Sequence, residues 1–332
     1  MHMSDALLSA PVAIVADVVA VGLLVAAASR LKNDKRDNSV ALMGVMGAFI
    51  FAAQMVNFSI PGTGSSGHIV GGVLLAAMLG PWAAFLTLSS VLIIQCLIFA
   101  DGGLMALGCN IINMAAMTTL VAYPLLFRPL LRFPASGWKV MGVSLLACTA
   151  GLELGACMVT LETMLSGITA LPFGKFFLLM AGIHLAIGIG EGLATGAVLL
   201  FVQRARPVLL MPDSARYASR RKVKGVVIGF AAAAASIAGG LAFLASSDPD
   251  GLEWSIQSIT GSADLAPQHI STLSQGAAAV QTTTSVMPDY DNTFAGIAGA
   301  AMVLVLVWGV SMILTRSRRR RAVAAPVDRR DR

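Results

Sequence analysis

Nine apolar runs restrict what this chain can fold into. They fall at about residues 11–29, 40–58, 69–79, 82–99, 104–127, 139–160, 175–201, 226–245 and 293–314. Most approach the roughly 20 residues that an α-helix needs to cross the hydrocarbon core of a bilayer. Only 12% of the residues are charged, against roughly 25% in a soluble domain. The sequence therefore predicts an all-α fold, a polytopic bundle of membrane helices.

Basic residues predict which way the helices run. All but one of the 23 Lys and Arg residues lie at 30–36, 128–139, 204–224 and 316–332, the exception being Lys175. Because loops rich in Lys and Arg stay in the cytoplasm, we expect these four segments on the cytoplasmic side of the cell inner membrane. The short 69–79 run must then cross as a ninth span. The N-terminus and residues 57–68 consequently face outward, and the tail faces the cytoplasm.

The predicted outer segments are acidic and almost free of basic residues. Their carboxylates are Asp5, Asp101, Glu162, Asp248, Asp250, Glu253, Asp264, Asp289 and Asp291. Such a surface attracts cations, although the asymmetry could equally do no more than encode the topology.

The spacing of the runs divides the chain into two modules. Residues 1–202 hold about seven spans, and 203–225 form a basic cytoplasmic linker. A C-terminal two-helix hairpin follows at 226–315, enclosing an external polar loop at 246–292, and a basic tail occupies 316–332. The first run lacks the basic flank and cleavage site of a signal peptide, so we expect a mature N-terminus. The four cysteines fall within apolar runs and are interpreted as packing residues.

The first two residues, Met1 and His2, suggest a chelate. A free terminal amine, the His2 amide nitrogen and the His2 Nδ1 close a five-membered and a six-membered ring around one metal ion. Tetragonal nitrogen sites of this kind suit Ni(II) or Cu(II). His68, on the same predicted side, is the candidate fourth ligand. The alternative is that His2 belongs to a mobile terminus and binds nothing.

Several polar residues are candidates to support this site. Glycines 62, 64 and 67 allow close backbone approach around His68. Ser65 and Ser66 could hydrogen-bond neighbouring loops, and Asn57 could hold His68 or cover the metal. His184 and Glu191 lie two helical turns apart within an apolar run, where ionisable groups are functional candidates. A structural polar contact between helices explains them equally well.

The motifs that surround these residues resemble a known family. The N-terminal "MH", "NFSIPGTGSSGHIVGG" (57–72) and "HLAIGIGEGLATG" (184–196) are similar to the CbiM/NikM family, the substrate-binding subunits of energy-coupling-factor transporters for cobalt and nickel. "SSDPDGLEW" (246–254) and "PDY" (288–290) resemble the PDGLE domain of the CbiN/NikN-type auxiliary subunit. The chain starts "MHMSDALLS" where many relatives have MHIPDGFL-like text, so His2 and Asp5 match and a proline is missing.

The resemblance implies a ligand set and partners. The ligands would be the Met1 amine, the His2 amide and imidazole, and the His68 imidazole. The partners would be a transmembrane coupling (T) subunit and ATPase (A) subunits, within membrane lipid and without nucleic acid. Nickel or cobalt would be cargo rather than a catalytic cofactor.

We therefore expect a metal-capturing subunit of an ATP-driven importer for Ni(II), or else Co(II). No G-x-x-x-x-G-K-[ST] phosphate loop occurs in the sequence, so ATP hydrolysis is expected in other subunits. The alternative is a gradient-driven secondary permease for divalent cations, with ligands deep in several spans. A membrane metalloenzyme is not favoured, because the H-E-x-x-H pattern is missing.

Overall fold

The computed structural model describes residues 1–32, 39–210, 220–263, 265, 271–290 and 294–324. The helices of the first module are α1 (Ala10–Lys32), α2 (Ser39–Gln54), α3 (Gly72–Leu79), α4 (Pro81–Phe99), α5 (Leu107–Leu130), α6 (Gly137–Ser166) and α7 (Phe173–Ala205). Those of the second module are α8 (Arg220–Gly239), α9 (Gly251–Thr260), α10 (Thr272–Thr284) and α11 (Ala295–Ala324). One two-stranded hairpin, β1 (Phe58–Ile60) and β2 (Ser65–Gly67), joins α2 to α3. The prediction of an all-α membrane bundle is confirmed.

Five helices are long and apolar enough to cross a membrane, namely α1, α4, α5, α6 and α7. Shorter apolar helical stretches cover 41–54, 225–239 and 295–310, within α2, α8 and α11. Most of α5 has π-helical hydrogen bonding, from Ile111 to Phe127. The predicted linker and the predicted tail are described only in part, because residues 211–219 and 325–332 lie outside the described ranges.

The 69–79 run, which the topology predicted to cross the membrane, forms a helix shorter than a full span. Its helix, α3, has eight residues and is about 12 Å long, less than half of the roughly 30 Å hydrocarbon core. Helix formation is delayed by Gly71 (φ +79°) and ended by Gly80 (φ +85°) and Pro81. The start of α4, directly after this run, contacts the basic end of α1, since the Arg30 guanidinium lies 4.4 Å from the centre of the Trp82 ring.

Small residues on α7 pack it against α6 within the same chain. A Cβ atom added at Gly192 would lie 2.5 Å from the Leu145 Cα, and one at Gly188 would lie 2.7 Å from the Thr149 Cα. The sequence alone had left open whether this face served a neighbour or a partner; in the structure it packs inside the subunit.

Glu162 was predicted to lie in an acidic outer segment, and that prediction is wrong. The residue is inside α6, is 6% exposed, and its carboxylate accepts a hydrogen bond from the Asn113 side chain at 2.7 Å. Helix α6 is longer than the apolar run that predicted it, because the polar residues Glu162 and Thr163 continue the helix with buried partners.

The two modules pack as one bundle. Helices α8 and α11 of the second module lie against α2 of the first. The loop between α8 and α11 covers the end of the molecule at which Met1 and the β hairpin lie, and it contacts both. The candidate site is therefore built by the two modules together.

Candidate metal centre

The N-terminal segment is fixed within the bundle. Met1 is 5% exposed and Met3 is fully buried. The Asn110 side chain bonds both backbone groups of Met3, accepting from its N–H at 2.8 Å and donating to its carbonyl at 3.2 Å. The Asp5 carboxylate accepts from the Ala106 N–H at 3.0 Å. These contacts hold His2, between two anchored neighbours, in one position.

His2 and His68 lie side by side. Their rings stack with centroids 5.4 Å apart and planes inclined by 28°. The His68 Nδ1 lies 3.1 Å from the Ile69 carbonyl, which can only accept, so Nδ1 carries the proton and Nε2 presents its lone pair. Burial, reinforced by the positive charge of the terminal amine, lowers the pKa of His68 to about 4. The ring is therefore neutral and can accept a metal ion at physiological pH.

Two of the three nitrogens of the predicted chelate, the Met1 amine and the His2 Nδ1, each lie beside a carboxylate. The Met1 ammonium nitrogen lies 2.5 Å from an Asp250 oxygen, and the His2 Nδ1 lies 3.1 Å from an Asp101 oxygen. Burial raises the pKa of Asp250, but the ammonium and nearby hydrogen bonds outweigh it and hold that pKa well below its usual range. Tyr290 donates to the other Asp101 oxygen at 2.7 Å. Both Asp250 and Tyr290 belong to the second module.

The Pro249–Glu253 segment docks on the β hairpin. Asp250 caps the N-terminus of α9, with Glu253 completing a capping box. Ser66 donates from its backbone N–H to the Pro249 carbonyl at 2.8 Å and from its hydroxyl to the Asp248 carbonyl at 2.7 Å. The capping geometry thus leaves the second Asp250 oxygen directed at the Met1 amine.

Glu191 holds the backbone that follows His68. One carboxylate oxygen accepts from the Val70 N–H at 2.6 Å and the other from the Gly71 N–H at 3.0 Å. Gly71 has no room for a side chain, because an added Cβ would overlap Ile50. The structure therefore places Glu191 in a contact with the His68 loop, rather than with His184.

The remaining candidate residues surround the site at greater distance. His184 donates from Nδ1 to the Met180 carbonyl at 2.7 Å, and its buried Nε2 has no hydrogen-bond partner within the described residues. That ring lines a small cavity with Met1, His68 and Asp250. Ser65 donates to the Pro249 carbonyl at 3.3 Å. Asn57 lines the larger cavity described below, and its carbonyl accepts from the Ser246 N–H.

An open cavity of about 910 Å³ leads to the two histidines. Its acidic lining residues are Asp5, Asp101, Asp248, Asp250 and Glu253. No Lys or Arg is among the described residues that line it. A concave surface of one charge sign raises the local concentration of the opposite ion, so the cavity favours entry of a cation.

Side chains alone do not form a metal site in the described part of the chain. There, no three His, Cys, Asp or Glu side chains converge on a point that could hold a metal ion. The backbone nitrogens of Met1 and His2, which are adjacent in the chain, are further candidate ligands beside the two imidazoles.

Five residues that contact the site were missed by sequence reasoning as site residues: Gln54, Gln95, Asp101, Asn110 and Asp250. Gln54 and Gln95 are amides within apolar runs, which is a signal that could have been followed. Asp250 is the acidic residue of the PDGLE motif itself. Its contact with Met1 spans 249 positions, and no local pattern encodes such a pairing.

Comparison with known proteins gives two family matches. The family described as the cobalt uptake substrate-specific transmembrane region, CbiM, matches residues 2–209, and the PDGLE domain matches residues 224–316. A protein of Archaeoglobus fulgidus that carries the name of a fused nickel transport protein, NikMN, is 37% identical over 223 residues, covering 65% of this chain and 70% of that one.

A cobalt transport protein CbiM of Sorangium cellulosum is 31% identical over 179 residues, covering 51% of this chain and 75% of that one. The crystal structure of a transition metal transporter superposes with a TM-score of 0.54 at 31% identity, covering 61% of this chain and 93% of that one.

Proposed function

Because the chain belongs to the CbiM family of cobalt uptake transmembrane regions and carries a PDGLE domain, we propose that it captures Ni(II), or else Co(II), at Met1, His2 and His68. The observation that carries the proposal is the stacking of His2 on His68, 5.4 Å apart, beside the terminal amine. The ligands are the Met1 amine, the His2 amide nitrogen, the His2 Nδ1 and the His68 Nε2.

Binding requires the ligands to exchange partners. The Met1 amine gives up a proton and turns its lone pair from Asp250 to the metal, and the His2 Nδ1 lone pair binds the metal in place of its contact with Asp101. The amide nitrogen loses its proton only when a strongly binding metal ion takes the proton's place. The two carboxylates stay beside the bound ion and balance its charge. Four nitrogens near one plane suit low-spin Ni(II) better than Co(II), which is the basis for proposing nickel first.

We further propose that ATP hydrolysis in separate A subunits, coupled through a T subunit, drives uptake, since the chain has no phosphate-binding loop of its own. The site end of the bundle faces outward across the cytoplasmic membrane. The basic residues at the opposite end, among them Arg30 and Arg128, support this orientation through the positive-inside rule.

Lengthening the N-terminus by one residue tests the capture site. The addition turns the Met1 amine into an amide and moves His2 to the third position, so we expect calorimetric Ni(II) binding to be lost. The same residue added after Arg332 is the control and leaves binding intact. Equal affinity of the natural and N-terminally extended proteins would exclude the terminal amine as a ligand.

Vesicles containing the purified protein alone test the energy source. We expect them to bind Ni(II) without accumulating it under a proton or sodium gradient, and to accumulate it only when ATPase and coupling subunits are added with internal ATP. Accumulation driven by a gradient alone would establish the permease instead.

A further inference from the structure

Two glutamines connect the His2 ring to the backbone beside His68. The His2 Nε2 lies 3.3 Å from the Gln95 Oε1, and the Gln95 Nε2 donates to the Gln54 Oε1 at 2.9 Å. The Gln54 Nε2 in turn donates to the Val70 carbonyl at 2.9 Å. Gln54 is 4% exposed and Gln95 is 1% exposed, so water does not compete for these bonds. We call these two residues the glutamine pair.

The backbone carbonyl sets the direction of every bond in this chain. A carbonyl can only accept, so Gln54 must turn its NH₂ group toward Val70 and its oxygen toward Gln95. Gln95 must then turn its NH₂ group toward Gln54 and its oxygen toward His2. Rotating either amide would bring two acceptors or two donors together in a buried place, which costs about 1–3 kcal/mol per unsatisfied group.

The oxygen of Gln95 requires a hydrogen on the Nε2 of His2. In the neutral ring a hydrogen on Nε2 leaves the lone pair on Nδ1. Nδ1 is the nitrogen that closes the six-membered ring with the His2 amide, whereas Nε2 points away from the chain terminus and cannot. The glutamine pair therefore favours the one tautomer that can chelate.

Asp101 favours the other tautomer. Its carboxylate oxygen lies 3.1 Å from Nδ1 and would retain a hydrogen there, where it blocks metal binding. We propose that Gln95, oriented by Gln54, is a positioning residue that keeps the hydrogen of neutral His2 on Nε2 and so leaves Nδ1 to the metal. The functional half of this inference rests on the proposed metal site; the tautomer itself does not.

The test compares three variants by two measurements. Gln95→Leu removes the acceptor, and Gln95→Glu keeps an oxygen facing His2. Gln203→Leu is the matched control, because Gln203 bonds the Ala135 backbone in a similar way at the end of α7, far along the chain from His2. Nitrogen NMR of isotopically labelled histidine reports the tautomer in the metal-free protein. Calorimetry with Ni(II) reports affinity.

In Gln95→Leu we expect the hydrogen to move to Nδ1 and the Ni(II) affinity to fall about 10- to 100-fold, as for other residues that orient a metal ligand. Gln95→Glu keeps an acceptor beside Nε2 but sets its second oxygen against the Gln54 Oε1. We therefore expect it to keep the Nε2 hydrogen and to lose less affinity than Gln95→Leu, while Gln203→Leu changes neither the tautomer nor the affinity. A hydrogen that stays on Nε2 in Gln95→Leu, or an unchanged affinity, overturns the proposal.

Two outcomes keep the inference separate from the proposed function. If the natural protein has its hydrogen on Nε2 but does not bind Ni(II), the metal site fails and the tautomer assignment stands. If Gln95→Leu does not fold, Gln54→Met takes its place, since it leaves Gln95 present but free to rotate. That variant must also shift the tautomer and weaken Ni(II) binding, and the proposal is wrong if it does neither.

Discussion

At the scale of single residues, His68 is oriented before any metal arrives. Its Nδ1 is committed to the Ile69 carbonyl, its ring lies against His2, and the backbone two residues on is bonded to Glu191. A ligand held in this way loses little conformational entropy on binding, which is the physical benefit of preorganisation.

Replacing His68 by alanine should therefore cost most of the affinity and little of the fold. Removing one of four nitrogens is expected to weaken Ni(II) binding at least about 100-fold, equivalent to about 2.8 kcal/mol. The thermal transition of the metal-free protein should change little, because the residue retains some exposed surface and its side chain bonds only the neighbouring Ile69 carbonyl. Calorimetry and a thermal scan of the same preparation check both.

His184→Ala is the comparison for this experiment. The His184 Nδ1 is already bonded within its own helix, so we expect the variant to bind Ni(II) far better than His68→Ala. The reverse order would place the fourth ligand at His184.

The sequence suggested the proposed ligand residues, whereas it did not predict their surroundings. Met1 and His2 are adjacent, so their chelate follows from covalent geometry alone. The meeting of His2 and His68 required only that both lie at one end of the bundle. Gln95 contacts His2 across a sequence separation of 93 residues, and Asp250 contacts Met1 across a separation of 249. Both contacts follow from how helices pack rather than from any local pattern.

At the scale of elements, α7 acts on the site from a distance. Its Glu191 carboxylate bonds two successive backbone N–H groups, and a glutamine side chain offers only one oxygen for the two. Glu191→Gln is expected to leave one buried donor unsatisfied, to lower the free energy of unfolding by about 1–3 kcal/mol, and to weaken Ni(II) binding by loosening the His68 loop.

Glu153→Gln is the matched control for Glu191. Glu153 lies on α6, and no described contact joins it to the His68 loop. Unfolding in denaturant and calorimetric titration of both variants separate the two positions. Equal effects on Ni(II) affinity would mean that Glu191 does not act through the loop.

The elements themselves followed from the sequence where an apolar run was long. Helices α1, α4 and α7 coincide closely with their runs, since continuous hydrophobicity over about 20 residues permits little else in a membrane. Helix α3 covers only the last eight residues of its run, because Gly71 and Gly80 adopt positive φ values at either end. Hydropathy measures how apolar a segment is, and it contains no information about the backbone conformation that interrupts a helix.

At the scale of the whole molecule, the second module is part of the site rather than an appendage. Asp250→Asn keeps an oxygen for the α9 cap but removes the charge that faces the Met1 ammonium. We expect the metal-free protein to lose about 1.5–3 kcal/mol of stability, the range for a hydrogen bond to a charged group. Saturating Ni(II) should reduce this difference, because the metal then holds the amine.

Asp248→Asn is the control for Asp250. Its side chain bonds the hydroxyls of Ser59 and Ser246 at the surface and does not reach the amine. Thermal scans of both variants with and without Ni(II) give the comparison. Identical losses, or a loss that Ni(II) does not reduce, would show that the Met1–Asp250 pair contributes nothing particular.

The pairing of Met1 with Asp250 also orders events during synthesis. A ribosome produces the first residue of this pair at the start and the second 249 positions later. Until then, the nascent chain carries both histidines but lacks the carboxylate that holds the terminal amine. Because domains made first generally fold first, we expect the first module to fold before the carboxylate that pairs with its terminal amine has been made. A chain whose terminal amine is held by Asp250 has therefore been translated into its second module, so this contact distinguishes a completed chain from a nascent one.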